Sequence, residues 1–273
     1  MLSQDNTNKS FMEVSVDVNA IATYYPGMIK VYEPKIPIRK LLADWEAQTK
    51  TTIPISSGKT SNEDDIERSI RRSQKLVSDY VLCNRFELFA TITIAQDRYS
   101  PEQSKKKVHN WLKNQRTRTG KFTYILVPEY HKDGALHFHA LISGFLGEVR
   151  QSFNPNNGEP LTRKGKFVYE LPSFTSGFTK VQYIGQSAED HAKVGNYIRK
   201  YITKDMVSVF NQKRFWTSQG LNKPIQEDNP QWYLETKADA VFENEYGKIF
   251  TYINLETKIL PGYIELLTGK EHL

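Results

Sequence analysis

The chain has little cysteine and no long apolar run. Its single cysteine, Cys83, excludes an internal disulfide and suits a reducing compartment. No apolar run approaches the roughly 20 residues that a membrane-spanning helix needs. The first residues, Met-Leu-Ser-Gln-Asp, also lack the apolar stretch of a signal peptide. We therefore expect a cytoplasmic protein that makes no membrane contact.

A nucleotide-binding loop is also lacking. Gly58-Lys59-Thr60 has the form of the end of a phosphate-binding loop, but Ile53 occupies the position five residues earlier where that loop needs a glycine. No apolar strand precedes the segment, so it is predicted to be a polar loop. We expect neither a bound nucleotide cofactor nor a helicase domain in this chain.

The basic residues are unevenly distributed. Residues 98–121 contain eight basic and one acidic residue, and residues 163–214 contain ten and four, whereas residues 225–273 contain four and nine. Basic blocks are commonly only solvated helix faces. Two such blocks on either side of one motif, however, are also typical of a surface that follows a nucleic-acid backbone. The candidate DNA-binding residues are Arg116, Arg118, Lys121, Lys180 and Arg199.

The motif between these blocks carries two histidines on one predicted strand. Successive side chains of a strand point to opposite faces, so His137 and His139 share a face and Phe138 points to the other. Residues 122–127 predict the preceding strand, and Lys132-Asp133-Gly134 predict the turn. A three-residue loop places Glu129 opposite His137, roughly 5 Å away. A two-residue loop would turn Glu129 to the wrong face.

Two imidazoles and one carboxylate on one face predict a divalent-metal site with open positions, with Glu129, His137 and His139 as ligands. A lone strand histidine is usually a satisfied core or surface residue, but a pair with a turn-linked glutamate is less ordinary. Other families with paired histidines fit poorly. A histidine triad would need a third histidine where Leu141 stands, and a cupin would need a glutamate shortly after His139.

Residues 195–205 predict a helix with two functional columns. Tyr197 and Tyr201 are four residues apart, as are Lys200 and Lys204, so each pair lies one turn apart on one face. A phenol can attack a phosphate, and neighbouring ammonium groups can neutralise the charge of the phosphodiester. The alternative is an amphipathic helix with tyrosines inward and lysines outward. The metal motif upstream favours the catalytic interpretation.

These motifs, in this order, resemble the HUH endonuclease superfamily, and in particular the rolling-circle replication initiators of phages, plasmids and small single-stranded DNA viruses. The apolar strand at 86–94 matches their first motif, His137-Phe138-His139 matches the second, and the helix from Tyr197 to Lys204 matches the third. Residues 111–115 and 215–224 are similar to segments of phage-type initiators. The resemblance covers roughly residues 66 to 224.

The resemblance implies an enzyme that nicks and rejoins single-stranded DNA at a specific site through a 5′-phosphotyrosine intermediate. It implies Mg²⁺ or Mn²⁺ as cofactor, single-stranded or cruciform origin DNA as substrate, and a host or phage helicase and polymerase as partners. Tyr197 and Tyr201 remain alternative or joint nucleophiles, with Tyr201 slightly favoured as the essential one. A conjugative relaxase or single-stranded DNA transposase with the same chemistry is the nearest alternative, and a non-catalytic DNA-binding protein is a third.

The pattern of elements predicts an α+β fold with a central antiparallel sheet of about five strands flanked by helices. Three segments are expected: an N-terminal extension over residues 1–60, interrupted by prolines, an endonuclease domain over 61–224 and an acidic C-terminal extension over 225–273.

Overall fold

A computed structural model describes residues 15–41, 63–131, 133–203 and 213–253. The chain divides into two compact units, Thr60–Pro224 and a second unit that combines Met1–Lys59 with Ile225–Leu273. In chain order the strands are β1 (Ser15–Val18), β2 (Ile21–Tyr25), β3 (Met28–Pro34), β4 (Ile38–Leu41), β5 (Leu88–Ile94), β6 (Thr123–Tyr130), β7 (Leu136–Ser143), β8 (Arg150–Gln151), β9 (Thr162–Arg163), β10 (Lys166–Phe167), β11 (Tyr169–Glu170), β12 (Gly177–Tyr183), β13 (Trp216–Thr217), β14 (Ile225–Asp228), β15 (Ala240–Glu243) and β16 (Gly247–Ile253). The helices are α1 (Glu63–Cys83), α2 (Pro101–Thr119) and α3 (Ala188–Ile198), and α3 continues into a 3₁₀ turn at Arg199–Tyr201.

The unit Thr60–Pro224 is built on a seven-stranded antiparallel sheet in the order β13-β6-β7-β5-β12-β11-β8. This confirms the predicted α+β class, although about five strands were expected. The difference comes from β8, β11 and β13, which are two residues long. Two residues are too few to display the alternation that identifies a strand in a sequence.

Helices cover both faces of this sheet because its long strands bury side chains on both sides. On one face Leu126, Phe138 and Ala140 pack with residues of α2 such as Val108 and Leu112. On the other face a second core joins strands β6 and β7 to helices α1 and α3; its members include Ile125, Val127, Leu141, Val77, Val81 and Ile198. The histidines of β7 lie on this second face, so the site forms between the sheet and the tyrosine helix.

The second unit joins both ends of the chain in one sheet. Its five strands have the order β14-β2-β3-β16-β15, and β1 pairs with β4 beside them. Val31, Ala22 and Tyr252 form the buried centre of this unit. Residues 1–60 were expected to be a loosely packed extension, whereas their described part, 15–41, is mostly strand and pairs with 225–253. The prolines are compatible with this because Pro26 lies in the β2–β3 turn and Pro34 ends β3.

In the parts of the chain that the structure describes, none of the helices has the length and apolar character required to cross a membrane.

Candidate functional site

The β6–β7 hairpin has the register that the sequence predicted. The His131 N–H donates to the Ala135 carbonyl at 2.8 Å, and Glu129 pairs directly with His137. Gly134 has φ +82°, which a residue without a Cβ adopts at no steric cost. The three-residue loop therefore holds, and Glu129, His137 and His139 lie on one face of the sheet.

Glu129 and His139 form the closest contact of the site. The Nε2 atom of His139 lies 2.6 Å from Oε2 of Glu129, and only 4% of the surface of His139 is exposed. On its other side, Nδ1 of His139 lies 3.3 Å from the hydroxyl of Thr91 on β5. A hydroxyl at Nδ1 can accept the ring proton and leave Nε2 as the atom that binds a metal.

His137 shares the face but does not point at the same spot. It is half-buried, and its ring stacks on His131 with the centroids 5.0 Å apart. Burial, and next the neighbouring His131, lower the pKa of His137, which favours the neutral imidazole. The neutral form is the one that ligates metals.

The donor set fits a divalent cation in chemistry and only in part in position. No three His, Cys, Asp or Glu side chains among the described residues converge closely enough to hold a metal ion. Two of the three predicted ligands, Glu129 and His139, are within 2.6 Å of each other. Neighbouring ligands on a metal with bonds of about 2.1 Å lie about 3 Å apart, so these two need only a small separation. His137 needs to turn away from His131.

The tyrosine helix reaches the same spot from the opposite side. Ser187 caps α3 by accepting a hydrogen bond from the Asp190 N–H at 3.1 Å. Gly195 lets the helix approach α1, since a Cβ there would lie 3.2 Å from a methyl of Val81. At the other end, the 3₁₀ turn carries Tyr201 over the sheet.

The two tyrosines and His139 form a continuous aromatic contact. The ring of Tyr201 stacks on that of His139 with centroids 3.8 Å apart and planes 16° apart. Tyr197 meets Tyr201 edge to face at 5.4 Å, and meets Phe89 in the same way at 5.4 Å. The predicted column of tyrosines is therefore present, although the α-helix ends at Ile198 and a 3₁₀ turn completes it.

The two phenols differ in environment. Tyr197 is 39% exposed, whereas Tyr201 is half-buried against His139. Burial, and next a hydrogen bond with Tyr197, raise the pKa of Tyr201, while the charge of Arg163 opposes the rise. Tyr197 thus presents the accessible hydroxyl, and Tyr201 presents the one nearest the histidine.

The predicted lysine column is described only in part. Lys200 is exposed in the 3₁₀ turn, and Lys204 lies outside the described residues.

A basic pocket of about 420 Å³ opens beside Tyr197, and the sequence analysis did not identify it. Arg163, Lys164 and Lys166 reach it from the short β9–β10 hairpin, and Lys193 reaches it from α3. Aromatic rings of Phe89 and Tyr183 are part of its wall. The signal in the sequence was the Arg-Lys-Gly-Lys turn at 163–166, which has no strand period of its own but has turn chemistry.

The candidate DNA-binding residues fall on two different surfaces. Lys180 is exposed on β12 and pairs with Thr91, so it shares the sheet face of His139. Arg199 is exposed in the 3₁₀ turn next to the tyrosines. Arg116 and Lys121 instead line a hollow beside α2, and Arg118 is exposed on the last turn of that helix.

Comparison with known proteins gives one family. Residues 87–206 match a family model of replication-associated proteins of the ORF2 type, which is 120 of the 273 residues of the chain. The matched segment begins at β5 and includes the β6–β7 hairpin and both tyrosines. No curated protein and no solved structure matches. The similarity supports a replication initiator, whereas the nicking chemistry stays a prediction.

Proposed function

We propose that this protein is a metal-dependent endonuclease of the HUH type that nicks and rejoins single-stranded DNA to initiate rolling-circle replication. The observation that carries the proposal is the unbroken line of contacts from Glu129 through His139 and Tyr201 to Tyr197. These side chains come from a hairpin and a helix more than fifty residues apart in the chain. A purely structural aromatic cluster has no need of a buried histidine paired with a carboxylate.

Glu129, His137 and His139 are the residues that would hold the divalent ion, Mg²⁺ or Mn²⁺. When bound, the ion supplies Lewis acidity, which polarises a phosphodiester and stabilises the charge of the pentacovalent transition state. Thr91 orients His139, and the pairing of β6 with β7 holds Glu129 opposite His137. A site built on paired strands keeps its ligands in place before the substrate arrives.

The covalent step belongs to the tyrosines. The phenol oxygen forms a bond to phosphorus, the bond from phosphorus to the 3′-oxygen breaks, and the phenol loses its proton as the 3′-oxygen gains one. The products are a 5′-phosphotyrosine and a free 3′-hydroxyl that can prime a polymerase. Because Tyr197 is the more exposed, it makes the first attack, and Tyr201 serves the second.

The substrate strand would bind across the exposed part of the same sheet face. Phe178 and Lys180 on β12 pair with Thr93 and Thr91, so their side chains lie beside the histidine strand. Phe178 is 53% exposed and can stack on an unpaired base. The basic pocket, with cations from the β9–β10 hairpin, is positioned to hold phosphates next to Tyr197.

The similarity over residues 87–206 favours replication over conjugation or transposition as the setting of this chemistry. Unwinding and synthesis would then be carried out by a host or phage helicase and polymerase that extend the freed 3′-end.

The test is a covalent adduct on single-stranded origin DNA that resists denaturation. We expect an adduct with Mn²⁺ and none with EDTA. Tyr197→Phe should remove most of it, Tyr201→Phe should leave a part, and the double variant should leave none. Tyr183→Phe is the matched control, since Tyr183 is an exposed tyrosine of the basic pocket on β12, two strands away from β7. Tight binding of the DNA with no adduct in any condition would contradict the enzyme and leave a DNA-binding protein.

A further inference from the structure

The α2 hollow is a second basic surface, defined here by His109, Lys113, Arg116, Lys121 and Tyr124. It has a volume of about 530 Å³ and is bounded by one side of α2 and by strand β6, which carries Tyr124. Three of these side chains are cations. No carboxylate is found among the described residues that line it. The hollow therefore has a positive potential that the protein does not itself neutralise.

Two buried nitrogen atoms in the α2 hollow lack a hydrogen-bond partner. They are Nε of Arg116 and Nε2 of His109, and no described residue accepts from either. A buried donor without a partner costs about 1–3 kcal/mol, and native proteins rarely leave one unsatisfied. Oxygen atoms of a phosphate would satisfy such a donor and bring a charge of the opposite sign to the cations.

The surroundings extend the positive potential beyond the lining. Burial, and then the charges of Lys105 and Lys213, lower the pKa of His109. The indole of Trp216 on β13 closes the side of the hollow, edge to face with His109 at 5.3 Å. Cations and an aromatic ring at one sheet edge are typical of a surface for single-stranded nucleic acid.

The α2 hollow is separate from the tyrosine site. Tyr124 belongs to the core on the α2 side of the sheet, together with Leu126 and Trp216. His139 and Tyr201 lie on the other face, with α1 and α3. A nucleotide beside the tyrosines therefore cannot occupy the hollow.

We propose that the α2 hollow is a second phosphate-binding site, which holds a segment of polynucleotide backbone remote from the point of nicking. The open shape and the three spaced cations favour a chain of phosphates over one enclosed nucleotide. The site does not depend on the tyrosine chemistry, because it needs only the charges and donors of α2 and its neighbours.

The test measures binding of a fluorescent single strand of unrelated sequence, about 30 nucleotides long, which exceeds the typical site of about 4–16 nucleotides. Lys113→Ala with Lys121→Ala removes two charges from the hollow. Lys106→Ala with Arg118→Ala removes two exposed charges outside it on the same helix. Measurements between about 50 and 200 mM salt give the slope of log K against log salt.

We expect the hollow variant to raise Kd about tenfold and to reduce the salt slope by about 1.4, which corresponds to two phosphate contacts. The control variant should change Kd less than twofold. Equal losses in both variants would mean that net charge alone matters and would overturn the proposal. A labelled mononucleotide that binds as tightly, with the same loss, would assign the hollow to free nucleotides and overturn the polynucleotide assignment.

A second readout separates this proposal from the nicking function. A short oligonucleotide that spans only the nick site should form the tyrosine adduct equally well with the hollow variant and with the unaltered protein. Failure of all adduct formation would contradict the nicking function and leave the binding result intact. Arg116→Gln, which keeps much of the length of the side chain and removes its charge, should reproduce part of the loss of affinity. An unchanged Kd in this variant would count against the unpartnered Arg116 nitrogen as a phosphate ligand.

Discussion

The orientation of His139 depends on a single hydroxyl. Thr91 lies 3.3 Å from Nδ1, on the strand that neighbours the histidine strand. Partners that orient a metal-binding histidine typically contribute about 10- to 100-fold to metal affinity. We expect Thr91→Val, which keeps the shape and removes the hydroxyl, to raise the Kd for Mn²⁺ about tenfold in isothermal titration calorimetry.

Thr91→Ser is the matched control for that prediction, because it retains the hydroxyl and removes one methyl group. It should bind Mn²⁺ as the unaltered protein does. An unchanged Mn²⁺ affinity in Thr91→Val would show that Thr91 has no part in orienting the ligand.

The lone cysteine is buried and chemically quiet. Burial, and next the charge of Asp79, raise the pKa of Cys83 from 9.0 to about 12. Because the thiolate is the reactive form, its fraction near pH 8 falls roughly a thousandfold relative to an ordinary thiol. Iodoacetamide should therefore modify Cys83 slowly in the folded protein and rapidly in urea, as followed by mass spectrometry. Equal rates in both states would contradict the burial of the thiol.

Residue spacing predicted the centre of the site because that spacing is local. The turn at Gly134 sets the position of Glu129 relative to His137, and a helical repeat sets Tyr197 beside Tyr201. Spacing could not predict that His137 turns toward His131, because rotamer choice depends on neighbours in space.

At the scale of elements, the 3₁₀ turn that carries Tyr201 is held by α1. The amide of Gln74 donates to the carbonyls of Ile202 at 3.2 Å and of Arg199 at 3.4 Å. Carbonyls at the end of a helix lack the full set of partners that interior carbonyls have, so a side-chain donor stabilises them. Helix α1 thus contributes a polar clamp to a tyrosine more than one hundred residues away in sequence.

Gln74→Glu replaces this donor with a carboxylate of the same shape, which cannot donate and which repels the two carbonyls. We expect it to slow adduct formation severalfold and to lower the free energy of unfolding by about 1 kcal/mol. Arg72→Gln is the control, since Arg72 is exposed on the same helix. Adduct rates that change no more in Gln74→Glu than in Arg72→Gln would remove the clamp from the account of the site.

The long elements follow from the sequence, and the short ones do not. The apolar run at 86–94 contains β5, and the acidic start near residue 63 marks the beginning of α1. The β9–β10 hairpin, which brings three cations to the basic pocket, has two residues in each strand. Its position comes from tertiary contacts, such as the bond from the Gln182 amide to the Arg163 carbonyl at 3.2 Å.

At the scale of the whole molecule, the sheet shared by the two chain ends is the feature that sequence patterns could not predict. Strand β14 pairs with β2 in a register that places Ile225 opposite Tyr24, about two hundred residues away. Nothing in local composition records such a pairing, since either segment alone has the pattern of an isolated strand. The acidic balance of residues 225–273 therefore belongs to a unit separate from the one that carries the basic site.

This division predicts how the chain responds to truncation. Unit Thr60–Pro224 contains its own sheet, both of its cores and all of the contacts from Glu129 to Tyr197, so the fragment 60–224 should fold and form the adduct. The fragment 60–273 keeps β14 and β16 without β2 and β3 and would uncover Tyr252, which is fully buried in the intact chain. Unpaired strand edges promote aggregation. We therefore expect 60–273 to be less soluble than the shorter 60–224 in size-exclusion chromatography. A 60–273 fragment that is monomeric, with the same melting temperature as the full chain, would contradict the shared sheet.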